Sequence, residues 1–207
     1  MSLCSRPFVL LAAGWLLTMI LAACGGEDAP AVACGAADPV AERPADSNAF
    51  ANPDFEDGAD PWISLETSAW GTPFTVSDRQ AQRGEHSALL ELRSALGGSA
   101  RVFGVVQEIA PDDLPQTISG YYCVESWLKG TPVQYLQFVV IVFDAENLPE
   151  EFVGVANNYQ VRYILAGVDS QPTFIGNARY VMLTEDEPVV GEWVYFERDV
   201  SQDFIQI

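Results

Sequence analysis

The chain is poor in histidine and in basic side chains. One histidine, His86, occurs among 207 residues. There is no Cys-x-x-Cys pair, so a zinc site of the usual Cys/His kind has no ligand set. A Ser–His–acid relay would have to use His86, in the turn-like stretch RGEHS (83–87). Ten Lys and Arg face 29 Asp and Glu, giving a net charge of −19 and a pI near 4.1. That balance excludes charge-driven binding to nucleic acid phosphates and disfavours anionic membrane surfaces. With so many acids, pairs of neighbouring carboxylates arise by coincidence and carry no evidence of glycosidase chemistry. The chain therefore reads as non-catalytic. Beyond the first two dozen residues no apolar stripe of helical period runs for ten residues, and no internal repeat is visible.

What is present begins with an export signal. Arg6 follows the amino terminus, residues 7–20 (PFVLLAAGWLLTMI) carry no charge, and small residues close the run. A spanning helix needs about 20 apolar residues, so length alone does not separate signal from anchor. The closing Leu21-Ala22-Ala23-Cys24 does. It resembles the lipobox of bacterial lipoproteins, with Leu21 at the apolar position, Ala22 and Ala23 at the small positions and Cys24 at the lipidated one. The resemblance implies a signal peptide over 1–23, a lipid on Cys24 and a home in the bacterial cell envelope. Gly25, which is not Asp, favours the outer membrane by the same resemblance.

Residues 24–50 are Ala, Pro and acid with few large apolar groups. Such a segment cannot bury enough surface to offset its ordering entropy, and it is expected to be a flexible tether. Cys4 leaves with the signal and Cys24 takes lipid. Cys34 and Cys123 remain in an oxidising compartment. They either pair, tying the tether to the domain, or Cys123 stays a buried thiol in a strand while Cys34 rides in the tether.

From residue 51 to 207 aromatic and β-branched residues are dense, and Gly and Pro recur at short intervals. Period-2 runs occur at 86–93, 100–109, 118–130, 133–144, 159–167, 178–184 and 192–200. Short strands at this spacing predict an all-β domain, a sandwich or barrel, with no helix longer than about two turns. Gly104 is expected at a bulge or a close backbone approach. In 118–130, Tyr121, Cys123, Glu125 and Trp127 share one side. Tyr122, Val124, Ser126 and Leu128 share the other, and the Val and Leu predict that this second set faces the core.

NPDFEDGADPW (52–62) is the most specific stretch of the mature chain. Its Asn-x-x-Phe-Glu-x-Gly and following Trp resemble the start of jelly-roll carbohydrate-binding modules of the galactose-binding-like superfamily. AQRGEHSALLEL (81–92), VVQEI (105–109), ISGYYCVESWLKG (118–130) and GEWVYFERDV (191–200) resemble later strands of those modules, in the same order. The resemblance spans roughly residues 50–204 and implies a jelly-roll β-sandwich. Such modules close with a further strand that often carries paired Asp. The chain reaches DFIQI before it, so that strand is expected to be missing here. By the same resemblance Glu56 is a candidate ligand for a structural calcium, since hard oxygens suit Ca²⁺. No other cofactor is implied. Phe55 and Trp62 are expected in the core.

Sugar rings bind flat aromatic faces, with a few polar groups fixing their orientation. Tyr121, Trp127 and Tyr135 are the candidate platforms. Glu125, Gln137 and Arg162 are candidate partners for hydroxyls, and Trp70 is a candidate loop residue at a groove mouth. For each, packing inside the domain is the competing role. Two functions follow: a lipid-anchored protein that binds glycan at the cell surface, or an envelope lipoprotein that uses the same domain for protein contacts and has no sugar site.

Overall fold

The computed structural model describes residues 31–36, 48–65, 74–92, 104–110, 115–130, 134–143, 158–168 and 174–205. Cys24 with its lipobox, and Trp70, lie outside the described residues. The described residues form a mostly β protein built from several small sheets. In chain order the strands are β1 (Ile63–Leu65), β2 (Thr75–Ser77), β3 (Ser87–Leu89), β4 (Gly104–Val106) and β5 (Thr117–Cys123). Then come β6 (Leu136–Val142), β7 (Tyr159–Ala166), β8 (Phe174–Ile175), β9 (Ala178–Met182), β10 (Trp193–Asp199) and a single-turn-and-a-half helix α1 (Val200–Ile205).

Three sheets are antiparallel pairs, β1–β4, β2–β3 and β5–β10. The fourth has the order β6-β7-β9-β8. In it β7 and β9 run parallel, from Gln160↔Ala178 to Ile164↔Met182. Gly176 and Asn177 form the two-residue turn that joins β8 to β9. Gly176 takes φ 58°, the positive value that a tight hairpin turn needs at its first position.

Strand alternation decides what each sheet buries. On β7 the odd residues Tyr159, Val161 and Tyr163 are buried and form the core with Ile118 of β5 and Val200 of α1. Phe138, Val140, Val181 and Leu183 pack on it from the same side of the four-stranded sheet. The β5–β10 ribbon closes over this side. Phe138 and Phe196 meet with ring centroids 5.6 Å apart, and a Cβ on Gly120 would lie 3.2 Å from the Phe196 ring. Gly120 is thus the flat spot that lets the ring lie across its register partner. Each fully buried side chain here contributes about 1.5–3 kcal/mol.

The C-terminal turn seals one end. Asp199 Oδ1 accepts from Ser201 Oγ (2.8 Å) and Gln202 N (2.9 Å), capping α1. Those hydrogen bonds, the backbone N–H first, hold its carboxyl below the usual range. Asp203, buried, accepts from Arg198 at 3.0–3.1 Å, and Phe204 lies 5.4 Å from the Tyr159 ring.

Two expectations need correction. Gly104 pairs in register with Leu65, and among the described residues nothing lies within 4 Å of where its Cβ would be, so they show neither bulge nor close approach there. Leu128 is 70% exposed, not core. The even set holds only inside the strand. Ile118 and Val124 are buried, and burial pushes the Tyr122 hydroxyl up. After Val124, which bridges Val190, the chain bends and the alternation ends.

Part of the expected tether is docked. Val32 N donates to Glu125 O (2.8 Å), Gly35 N donates to Gly191 O (2.8 Å), and Cys34 N donates to Gln80 Oε1 (3.2 Å). A disulfide joins Cys34 to Cys123 at the end of β5.

Candidate functional site

The stretch 52–62 is a folded clasp whose residues act on one another. Asn52, at φ 45°, donates from Nδ2 to Gly58 O (2.7 Å) and Asp60 O (3.1 Å). Its Oδ1 accepts from Asp57 N (3.1 Å). The Trp62 indole donates to Asn52 O at 2.8 Å. Phe55, also at positive φ (63°), stacks on Trp62 at 5.2 Å and meets Phe74 at 6.2 Å. Gln107 clamps the approach to the clasp, since its amide both accepts from Ala51 N and donates to Ala51 O, each at 2.8 Å.

Glu56 reaches from this clasp to the turn before β3. Its Oε1 accepts from Glu85 N and His86 N, both at 2.8 Å, and its Oε2 lies 3.2 Å from His86 Nδ1. The two backbone N–H groups, more than the histidine, hold its carboxyl below the usual glutamate range. The groups facing Glu56 are hydrogen-bond donors rather than oxygen ligands. Among the described residues no three His, Cys, Asp or Glu side chains converge to hold a metal. Glu56 in this structure fastens two loops.

The predicted row Tyr121–Glu125–Trp127 is taken up by separate contacts. Tyr121 packs on its register partner Tyr195, ring centroids 5.0 Å apart. Glu125 accepts from Arg79 Nη2 at 2.6 Å. Trp127 donates from its indole to Glu187 Oε2 at 2.5 Å, while Lys129 donates to Glu187 Oε1 at 2.7 Å. Those two donors, lysine first, lower the Glu187 carboxyl. A shared face needs an unbroken strand, and β5 ends at Cys123.

A different group does converge, on the side of the four-stranded sheet opposite the core. The even residues of β7 and β9 lie there, with Arg162 opposite Tyr180 and Val139. Arg162 donates from Nε (3.0 Å) and Nη2 (2.8 Å) to Gln160 Oε1, and its guanidinium carbon sits 5.5 Å from the Tyr180 ring centroid. Gln160 in turn donates to Asn158 Oδ1 (2.9 Å), which also accepts from Asn177 (2.6 Å). Burial first, then Tyr180, push the Tyr135 hydroxyl up against the pull of Arg162. Gln137, on β6 opposite Ile164, shares this side. Its Oε1 is buried with no hydrogen-bond partner among the described residues.

Trp127 reaches the same neighbourhood through Gly167. At φ 108°, Gly167 would place a Cβ 3.0 Å from Tyr135 Cα and 3.3 Å from Trp127 Cζ2. Only glycine allows the backbone before β6 and the indole to meet there. Of the sequence candidates, then, Gln137 and Arg162 share one sheet side, with Tyr135, just before β6, and Trp127 at its border. Tyr121, Glu125 and Glu56 are engaged elsewhere.

Sequence reasoning missed Tyr180, Gln160 and Asn158. Tyr180 lay within a recognised strand, but its neighbour depends on the parallel β7–β9 pairing, which leaves no local signal. The chain matches no family model, no curated protein and no solved structure.

Proposed function

We propose that this chain is a lipid-anchored, exported, non-catalytic binding protein of the bacterial envelope, tethered through Cys24. Its jelly-roll-like domain holds glycan on the outer side of the β6–β7–β9 sheet. The observation that carries the reading is the group Tyr135, Gln137, Arg162 and Tyr180. It supplies aromatic faces beside oriented polar groups on one sheet surface, the combination sugar recognition uses. The disulfide supports an oxidising compartment. Two sheets packed about one core, and the clasp at 52–62, support the jelly-roll resemblance. The parallel β7–β9 pair is a feature that an antiparallel jelly roll does not share.

A glycan array probed with the detergent-solubilised full chain tests the reading. Retention of a defined glycan subset, lost in Tyr180→Ala, is the expected result. A folded chain that retains none overturns it. Protein contact in the envelope is the second reading, and Ile141 and Phe143, 43% and 73% exposed, favour it. A photo-crosslinker at position 143 in the membrane-bound chain would then trap a protein.

A further inference from the structure

We infer that the β6–β7–β9 side binds its ligand through an acidic group, a carboxylate or a sulfate, seated on Arg162. The inference rests on the reading of this side as a glycan site and adds the class of glycan. It starts from how three of the described cations are neutralised. Arg79 pairs with Glu125 and Glu91, Lys129 with Glu187, and Arg198 with Asp203. Arg162 is half-buried, yet the groups it meets are neutral: Gln160 and the Tyr180 ring. Among the described residues no carboxylate pairs with it. A partly desolvated charge is costly unless an opposite charge meets it.

Scarcity of acids elsewhere does not explain this. The chain carries 29 Asp and Glu, but none lies within β6, β7, β8 or β9. The strands around Arg162 are thus cleared of the groups that would repel an anion, in a protein that is otherwise strongly acidic. The guanidinium is also held in place. Two of its nitrogens are fixed on one acceptor, Gln160 Oε1, and its central carbon sits 5.5 Å from the Tyr180 ring centroid. A planar fork oriented before binding suits a carboxylate or sulfate, because little freedom is lost when the ligand arrives. Gln137 Oε1, an unpaired acceptor on the same side, would take a sugar hydroxyl.

The test uses matched pairs of polymers with the detergent-solubilised full chain. Polygalacturonate and alginate are each set beside the carboxyl-reduced form, and chondroitin sulfate beside its desulfated form. At least one acidic member should bind ten times or more tighter than its neutral partner. The pair that shows the preference tells carboxylate from sulfate. Arg162→Gln should abolish the preference, bringing the acidic polymer to the level of the neutral one. Arg162→Lys, which keeps the charge and loses the fork, should retain preference with weaker affinity, and covers the case in which the Gln variant does not fold. Neutral members binding as tightly as acidic ones would overturn the inference and leave the glycan reading standing. So would a preference that survives in folded Arg162→Gln. Binding to no polymer of either kind would overturn both.

Discussion

Gly84 and Glu56 fit together with no room for a methyl group between them. A Cβ at Gly84 would lie 2.3 Å from Glu56 Oε1, and Gly84 adopts φ 70°. Both facts forbid alanine, one by contact and one by backbone strain. Gly84→Ala should therefore lower stability by about 1–3 kcal/mol, the usual cost of a side chain held at positive φ. In a Glu56→Ala background the cost should shrink but not vanish, since the contact is gone and the strain remains. Chemical denaturation of the four members of this cycle measures both parts.

The same carboxylate makes part of the stability pH-dependent. The folded state lowers the Glu56 pKa from its ordinary value of 4.5, chiefly through the Glu85 and His86 N–H groups. A group lowered on folding stabilises fully above its unfolded value, and that contribution disappears as pH falls through the folded value. Acid should thus weaken the wild type below the ordinary glutamate range. Glu56→Gln should be less stable at neutral pH and show a shallower acid limb. Denaturant midpoints across that range decide it. Parallel acid limbs in the two proteins would remove Glu56 from the account.

The Cys34–Cys123 bond spans 89 positions of sequence. Cross-linking so long a loop restrains the unfolded chain, and removing such a bond costs about 2–5 kcal/mol. Cys34→Ser with Cys123→Ser should lose stability in that range. It should also free residues 31–36, which hydrogen-bond to Gln80, Glu125 and Gly191. Limited proteolysis should then cut within 31–36 in the variant and spare it in the oxidised wild type.

Asp203 is the buried acid of the C-terminal turn, with a side chain only 6% exposed. Arg198 reaches it with two nitrogens, and Arg179 donates to its backbone oxygen. Asp203→Ala leaves Arg198 without its acceptor at the core edge. The expected loss is about 1.5–3 kcal/mol, the range for hydrogen bonds to charged groups. Thermal unfolding of the variant measures it.

Much of the strand pattern was legible from alternation alone. The runs at 159–167, 178–184 and 192–200 overlap β7 (Tyr159–Ala166), β9 (Ala178–Met182) and β10 (Trp193–Asp199) almost end to end. Local period-2 burial suffices for that. Pairing was not legible, because β7 meets β9 in parallel across a returning hairpin. The misplacement of Leu128 has a similar cause. Nothing local says that the strand stops at Cys123; residues 31–36 and 190–191, distant in sequence, meet the chain just after it. Glu56 stood out by resemblance, but its role depends on backbone N–H groups 29 and 30 residues further on. The candidate site was half visible. Tyr135, Gln137 and Arg162 stood out as polar or aromatic groups in apolar strands, whereas Tyr121 and Trp127 were placed together by extending an alternation past its end.

The central claim is that ligand sits on the outer side of the β6–β7–β9 sheet. Hydrogen–deuterium exchange of the full chain, with and without the polymer it binds best, tests this most directly. The account predicts new protection in peptides covering 134–142, 159–166 and 178–182, and little change around Tyr121 and Tyr195. Protection confined to 117–123 and 193–199, with the β6–β7–β9 peptides unchanged, would contradict it and move the site to the β5–β10 ribbon.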